Sequence, residues 1–106
     1  MTKMKLSDRE KQQIKQDLVE CLKGEPEVRR VVVFGSFAGS SEPGDLDIAV
    51  FQDSDQPYLP LAMKYRRLLR PVARRIPLDV VPLRAASPGG WFVRGEVMRG
   101  EVVFER

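Results

Sequence analysis

A chain of 106 residues with a hydrophobic fraction of 42% is long enough for one modest core and too short for two, so residues 1–106 read as a single domain. The formal charge of +3, with a pI near 9.3, is mildly basic and permits a polyanionic partner without requiring one. Zero histidines exclude histidine metal ligands and Ser-His or Cys-His nucleophile pairs, and the single Cys21 excludes an intrachain disulfide and a cysteine-based zinc cluster.

The first helix is signalled by Ser7 with Glu10 three residues later, the pattern of a capping box. Ile14, Leu18, Cys21 and Leu22 recur at helical spacing, and Gly24 followed by Pro26 ends the element. Cys21 on that stripe reads as a small core residue rather than a reactive thiol. Val28 to Phe34 reads as a strand, and its continuously apolar end predicts burial on both faces. Residues 35–44, rich in Gly, Ser and Pro, read as a loop. Asp45 to Phe51 is expected to be the second strand, and Gln52 to Pro57 a polar connection.

A longer helix is expected over roughly residues 58–75, with Pro60 in its first turn and Pro71 as a kink or early stop. Its apolar stripe is Leu61, Tyr65, Leu68, Leu69 and Val72. Leu78 to Val81 reads as a short third strand stopped by Pro82. Ser87-Pro88 looks like a helix start, with Trp91, Val93, Val97 and Met98 available for packing and Gly100 as its end. Val102 to Phe104 reads as a last short strand. There is no apolar run of about eighteen residues and no signal-peptide pattern, so the expectation is a cytoplasmic, soluble chain without a membrane partner.

The chemistry lies between residues 35 and 79. Two carboxylates one residue apart on a strand, Asp45 and Asp47, point to the same face and send Leu46, Ile48 and Val50 to the other. Adjacent negative charges are unfavourable unless a cation sits between them. Gly35 at the end of a buried strand lets backbone approach a ligand, and Ser36 adds a hydroxyl and an amide that can donate to phosphate. Asp79 stands in the third strand where an apolar residue is expected, and a buried carboxylate there is costly unless paired or metal-bound. If the third strand lies beside the second, the three aspartates form one cluster. Such a set suits two magnesium ions and an in-line phosphoryl or nucleotidyl transfer. The plainer alternative is that Asp45 caps a turn and Asp79 is a half-exposed edge residue.

The basic run Lys64, Arg66, Arg67, Arg70, Arg74 and Arg75 reads, on charge pattern, as the solvated face of an amphipathic helix. Attraction of nucleic acid, a triphosphate or an acidic partner surface is the less favoured alternative. Tyr58 and Tyr65 read as packing residues, Trp91 as core or interface, and Ser87 as a helix cap.

Gly35-Ser36, the Asp45/Asp47 pair and the downstream Asp79 resemble the minimal nucleotidyltransferase family of the polymerase-beta-like superfamily. The resemblance covers almost the whole chain, including a closing helix, glycine and short apolar strand from Arg94 to Phe104. It implies an α/β (α+β) fold, a small mixed sheet with helices packed on it. It further implies that Gly35 and Ser36 bind the triphosphate and that Asp45 and Asp47 bind both Mg2+ ions. Asp79 would bind the catalytic ion and help deprotonate the acceptor hydroxyl. The family also implies transfer of AMP from ATP to a tyrosine of a helical HEPN-type toxin, the chain acting as antitoxin in a hetero-oligomer; a homo-oligomer is left open. Family members often continue the serine with x-Ala-Arg-Gly, whereas Phe37, Ala38, Gly39 and Ser40 stand here, without the arginine. That departure motivates the alternative of an antitoxin that works by binding alone.

Overall fold

The computed structural model describes residues 5–39, 43–86, 95 and 97–106. The expected helix start at Ser87, together with Ser40, Trp91 and Val93, lies outside the described residues. Helix α1 (Asp8–Leu22) opens with the capping box, Ser7 and Glu10 each accepting from the other's backbone amide at 3.1 and 3.0 Å. Its buried stripe is Ile14, Leu18 and Leu22. Cys21 packs at the edge of the core, where burial pushes its thiol pKa up, consistent with an unreactive side chain.

Strand β1 (Val28–Phe34) leads into a single helical turn, α2 (Ser36–Gly39), where the sequence suggests only loop. Strand β2 (Leu46–Gln52) starts and ends one residue later than expected. The predicted long helix is two pieces, α3 (Tyr58–Leu68) and α4 (Arg70–Ala73). Pro71 is the cause: it has no amide hydrogen to bond back into α3, so the ladder ends with the Leu69 amide donating to Tyr65.

Strand β3 (Leu78–Arg84) continues through Pro82 instead of stopping there. The sheet order β3-β2-β1-β4 explains why, since β3 is an edge strand. The Leu46 amide donates to Pro77 and the Ala85 amide to Gln52, so odd-numbered residues of β3 turn their amides to β2. The nitrogen of Pro82 therefore faces outward, where no ladder bond is lost. Strand β4 (Glu101–Glu105) is longer than expected and runs antiparallel to β1. Gly100, just before it, packs against the Val33 carbonyl and the Val32 and Phe34 side chains so closely that a Cβ would overlap them.

β1 and β2 are antiparallel, and β2 and β3 are parallel, giving the mixed sheet expected. One face carries Val31, Val33, Leu46, Ile48, Val50 and Val80 under α1, α3 and α4, with Phe37 of α2. Each such side chain, fully buried, contributes about 1.5–3 kcal/mol. The other face holds a smaller cluster of Val32, Phe34, Ala49, Phe51 and Val97. The continuous apolar runs thus reflect burial on both sides. Among the described residues no helix is long and apolar enough to cross a membrane.

Candidate functional site

Gly35 ends β1 with φ +73°, the left-handed conformation that side chains disfavour. A Cβ at this position would overlap Asp47 Oδ2. The glycine therefore does two things: it turns the chain into α2, and it leaves room for a carboxylate directly over the backbone. Ser36 follows as the first residue of α2 and is exposed. The turn is anchored behind by Phe37, whose ring is buried and whose carbonyl accepts a 2.7 Å hydrogen bond from Lys11 Nζ on α1. The same ammonium lies 5.2 Å from the Phe37 ring centroid.

Asp47 pairs across the ladder with Phe34 on one side and with Asp79 on the other. Strand alternation sends Leu46, Ile48 and Val50 into the main core and turns Asp47 to the opposite face, beyond Ala49 and Phe51. Because β2 and β3 are parallel and in register, Asp79 shares that face. Asp45 lies one residue before β2 rather than within it. Burial holds the Asp47 pKa above the usual carboxylate range, and the charges of Asp79 and then Asp45 push it the same way. Asp79 and Asp45 thus both act electrostatically on Asp47.

Asp79 is not buried, contrary to the expectation from its apolar neighbours in the chain and in line with the plainer alternative of an exposed edge residue. Its side chain is 65% exposed, on an edge strand, and Arg66 Nη2 of α3 lies 3.5 Å from its Oδ1. The register with Asp47, not burial, makes it part of the site. Among the described residues no three acidic or cysteine side chains enclose a common point for a metal ion. Asp47 and Asp79 share one face of the sheet, and carboxylate oxygens are the donor type that magnesium favours.

Lys11 has no signal in the sequence, and Arg66, though part of the basic run, has none for its pairing with Asp79. Lys11 reaches the turn from a helix 26 residues away in the chain, and Arg66 meets Asp79 only because α3 packs beside β3. Tyr65 is a packing residue as read: it is fully buried, and its hydroxyl donates to Glu27 at 2.9 Å. Burial, then that bond, raises its pKa. Glu27 also accepts from Lys64 at 2.9 Å. Tyr58, in contrast, is exposed.

The solved structure described as the toxin–antitoxin MntA-HepT is similar in fold, with a TM-score of 0.62 and 19% identity over 90% of this chain and 73% of that one. A comparison with curated proteins finds no match. A family profile described as "Polymerase beta, Nucleotidyltransferase" matches residues 16–106, a span that holds the glycine-serine turn and all three aspartates. The chain belongs to the polymerase beta nucleotidyltransferase family.

Proposed function

We propose that the chain transfers a nucleoside monophosphate, AMP from ATP, to a hydroxyl of a HEPN-type partner, and by that modification acts as an antitoxin. The observation that carries the chemistry is the pairing of Asp47 with Asp79 across β2 and β3, beside a glycine shaped to receive Asp47. The partner is suggested by the similar solved structure, which is a toxin–antitoxin pair.

In this reading Gly35 and Ser36 hold the triphosphate, the backbone approaching through the missing side chain and the hydroxyl and amide donating to phosphate oxygens. Asp45, Asp47 and Asp79 would hold two Mg2+ ions, which when bound lower the pKa of the attacking hydroxyl and neutralise the leaving pyrophosphate. The acceptor oxygen bonds to the α-phosphorus, the bond from that phosphorus to the bridging oxygen breaks, and pyrophosphate leaves. Asp79, on the outer strand, receives the proton. Burial, and after it the charges of Asp79 and Asp45, raises the pKa of Asp47, and a divalent cation would relieve the like-charge part of that cost.

A second reading has one specific residue in its favour. Gly39 stands where the family often has arginine. A chain with a weakened nucleotide site would neutralise its partner by occlusion.

Incubation with ATP labelled on the α-phosphate, Mg2+ and a HEPN-type partner decides between the two. Label on the partner with wild type and none with Asp47→Asn supports transfer. No label with wild type at saturating Mg2+, together with neutralisation that survives Asp45→Asn/Asp47→Asn, supports occlusion and removes the enzymatic claim.

A further inference from the structure

Helix α3 buries Leu61, Ala62 and Tyr65 and leaves its opposite face uncovered. Leu59 and Met63, one helical turn apart, are 65% and 62% exposed. The stripe continues through Arg66, Arg67 and Arg70, which with Met63 line an open cleft of about 360 Å³. No acidic residue occurs between Asp55 and Asp79. Lys64 and Arg75, at the flanks, are taken up by Glu25, Glu27 and Asp17. Among the described residues Arg67 and Arg70 meet no carboxylate.

We infer that this face, from Leu59 to Arg70, is where the acceptor protein docks, through a surface that is acidic around an apolar ridge. The inference rests on the proposed transfer to a protein hydroxyl. Its position supports it: Arg66 touches Asp79, so the stripe begins beside the carboxylate assigned to receive the acceptor's proton. A protein seated there presents a hydroxyl at the open edge of the site. Charge complementarity selects the partner, because Arg67 and Arg70, without counter-charges of their own, favour carboxylates across an interface and steer their approach. The apolar pair argues for protein over nucleic acid. Leu59 and Met63 gain only from burial against other apolar groups, whereas base stacking uses aromatic rings. Among the described residues the exposed aromatic of this helix, Tyr58, lines a different cleft with Gln56, Pro57 and Leu61.

The test uses the whole chain, a HEPN-type partner, ATP and Mg2+, with Leu59→Ser/Met63→Ser and Arg67→Glu/Arg70→Glu as variants. Each is expected to weaken association with the partner about tenfold or more. The melting temperature and the ATP-induced thermal shift should stay at wild-type values, since none of these residues touches the nucleotide site. Wild-type association should also weaken as salt rises from about 0.05 to 0.3 M. Unchanged association in both variants overturns the docking surface while leaving the transfer reaction standing. A wild type that neither binds nor labels the partner overturns both. Total tRNA serves as the competing probe: salt-dependent tRNA binding lost in Arg67→Glu/Arg70→Glu, with partner binding intact, would make the stripe a nucleic-acid surface and overturn the inference.

Discussion

Gly35 and Asp47 are fitted to each other: the carboxylate of Asp47 occupies the space where any other residue at position 35 would place its Cβ. The site begins with that absence of a side chain, because it brings a negative group over a left-handed turn.

Gly35→Ala is therefore expected to be damaging twice over. The left-handed backbone costs a non-glycine residue about 1–2 kcal/mol, and the new methyl must displace Asp47. A melting temperature lowered by roughly 5 °C or more, with loss of the Mg2+-dependent response to ATP, is the expected result. A variant melting at the wild-type temperature would show that the turn adapts and that the fit is unimportant.

Asp47→Asn should have the opposite effect on stability. Burial and two like charges disfavour the ionised carboxylate at neutral pH, so the amide relieves a cost. Without divalent cations the variant is expected to melt a few degrees higher than wild type. With saturating Mg2+ the order should reverse, because wild type, with all three carboxylates, binds the ion more tightly than a variant left with two. Calorimetry in EDTA and in Mg2+ reads both; a lower melting temperature for the variant in EDTA would refute the electrostatic account.

Lys11 should matter more for nucleotide than for folding. Its ammonium donates to the Phe37 carbonyl and so holds the turn that begins at Ser36. Lys11→Met is expected to cost about 1 kcal/mol of stability, but to weaken ATP binding several-fold, with Lys11→Arg restoring most of it. Isothermal titration with ATP and Mg2+ provides the measurement. Equal ATP affinity in the Met variant would remove Lys11 from the site.

Glu27 supplies a pH-dependent contribution on the far side of the fold. Burial pushes its pKa up, but hydrogen bonds from Lys64, its own backbone and Tyr65 outweigh that and hold it below the ordinary glutamate value. A folded pKa below the unfolded one of about 4.3 means the stabilisation is fully present above that pH and lost as pH falls through the folded value. Glu27→Gln should lose about 1–3 kcal/mol at pH 7, and the gap should close in acid. Denaturant melts at pH 7 and near pH 3 test it; a gap that persists in acid would point to shape rather than charge.

The parts of this fold legible in the sequence are those that local chemistry dictates. The capping box at Ser7 and Glu10, the stripe ending at Leu22, and strand 28–34 all follow from spacing and burial. Alternation also places Leu46, Ile48 and Val50 in the core and Asp47 opposite. What spacing does not contain is strand order. Pro82 looks like a stop because a proline in a central strand would be one; that β3 is an edge strand is a property of the assembled sheet. Asp79 looks buried because its neighbours in the chain are apolar, yet its face is open. Lys11 and Arg66 enter through helix packing, which no window of the sequence reports.

Pro82 has a further consequence. A free edge strand ordinarily offers a row of amide donors that a neighbouring chain can extend. On the outer edge of β3 that row is broken at its middle by a residue with no hydrogen to give. The sheet cannot readily grow on this side, by self-assembly or by capture of a passing strand. Whatever approaches this edge, beside Asp79, is therefore met at its middle by side chains rather than by an amide donor.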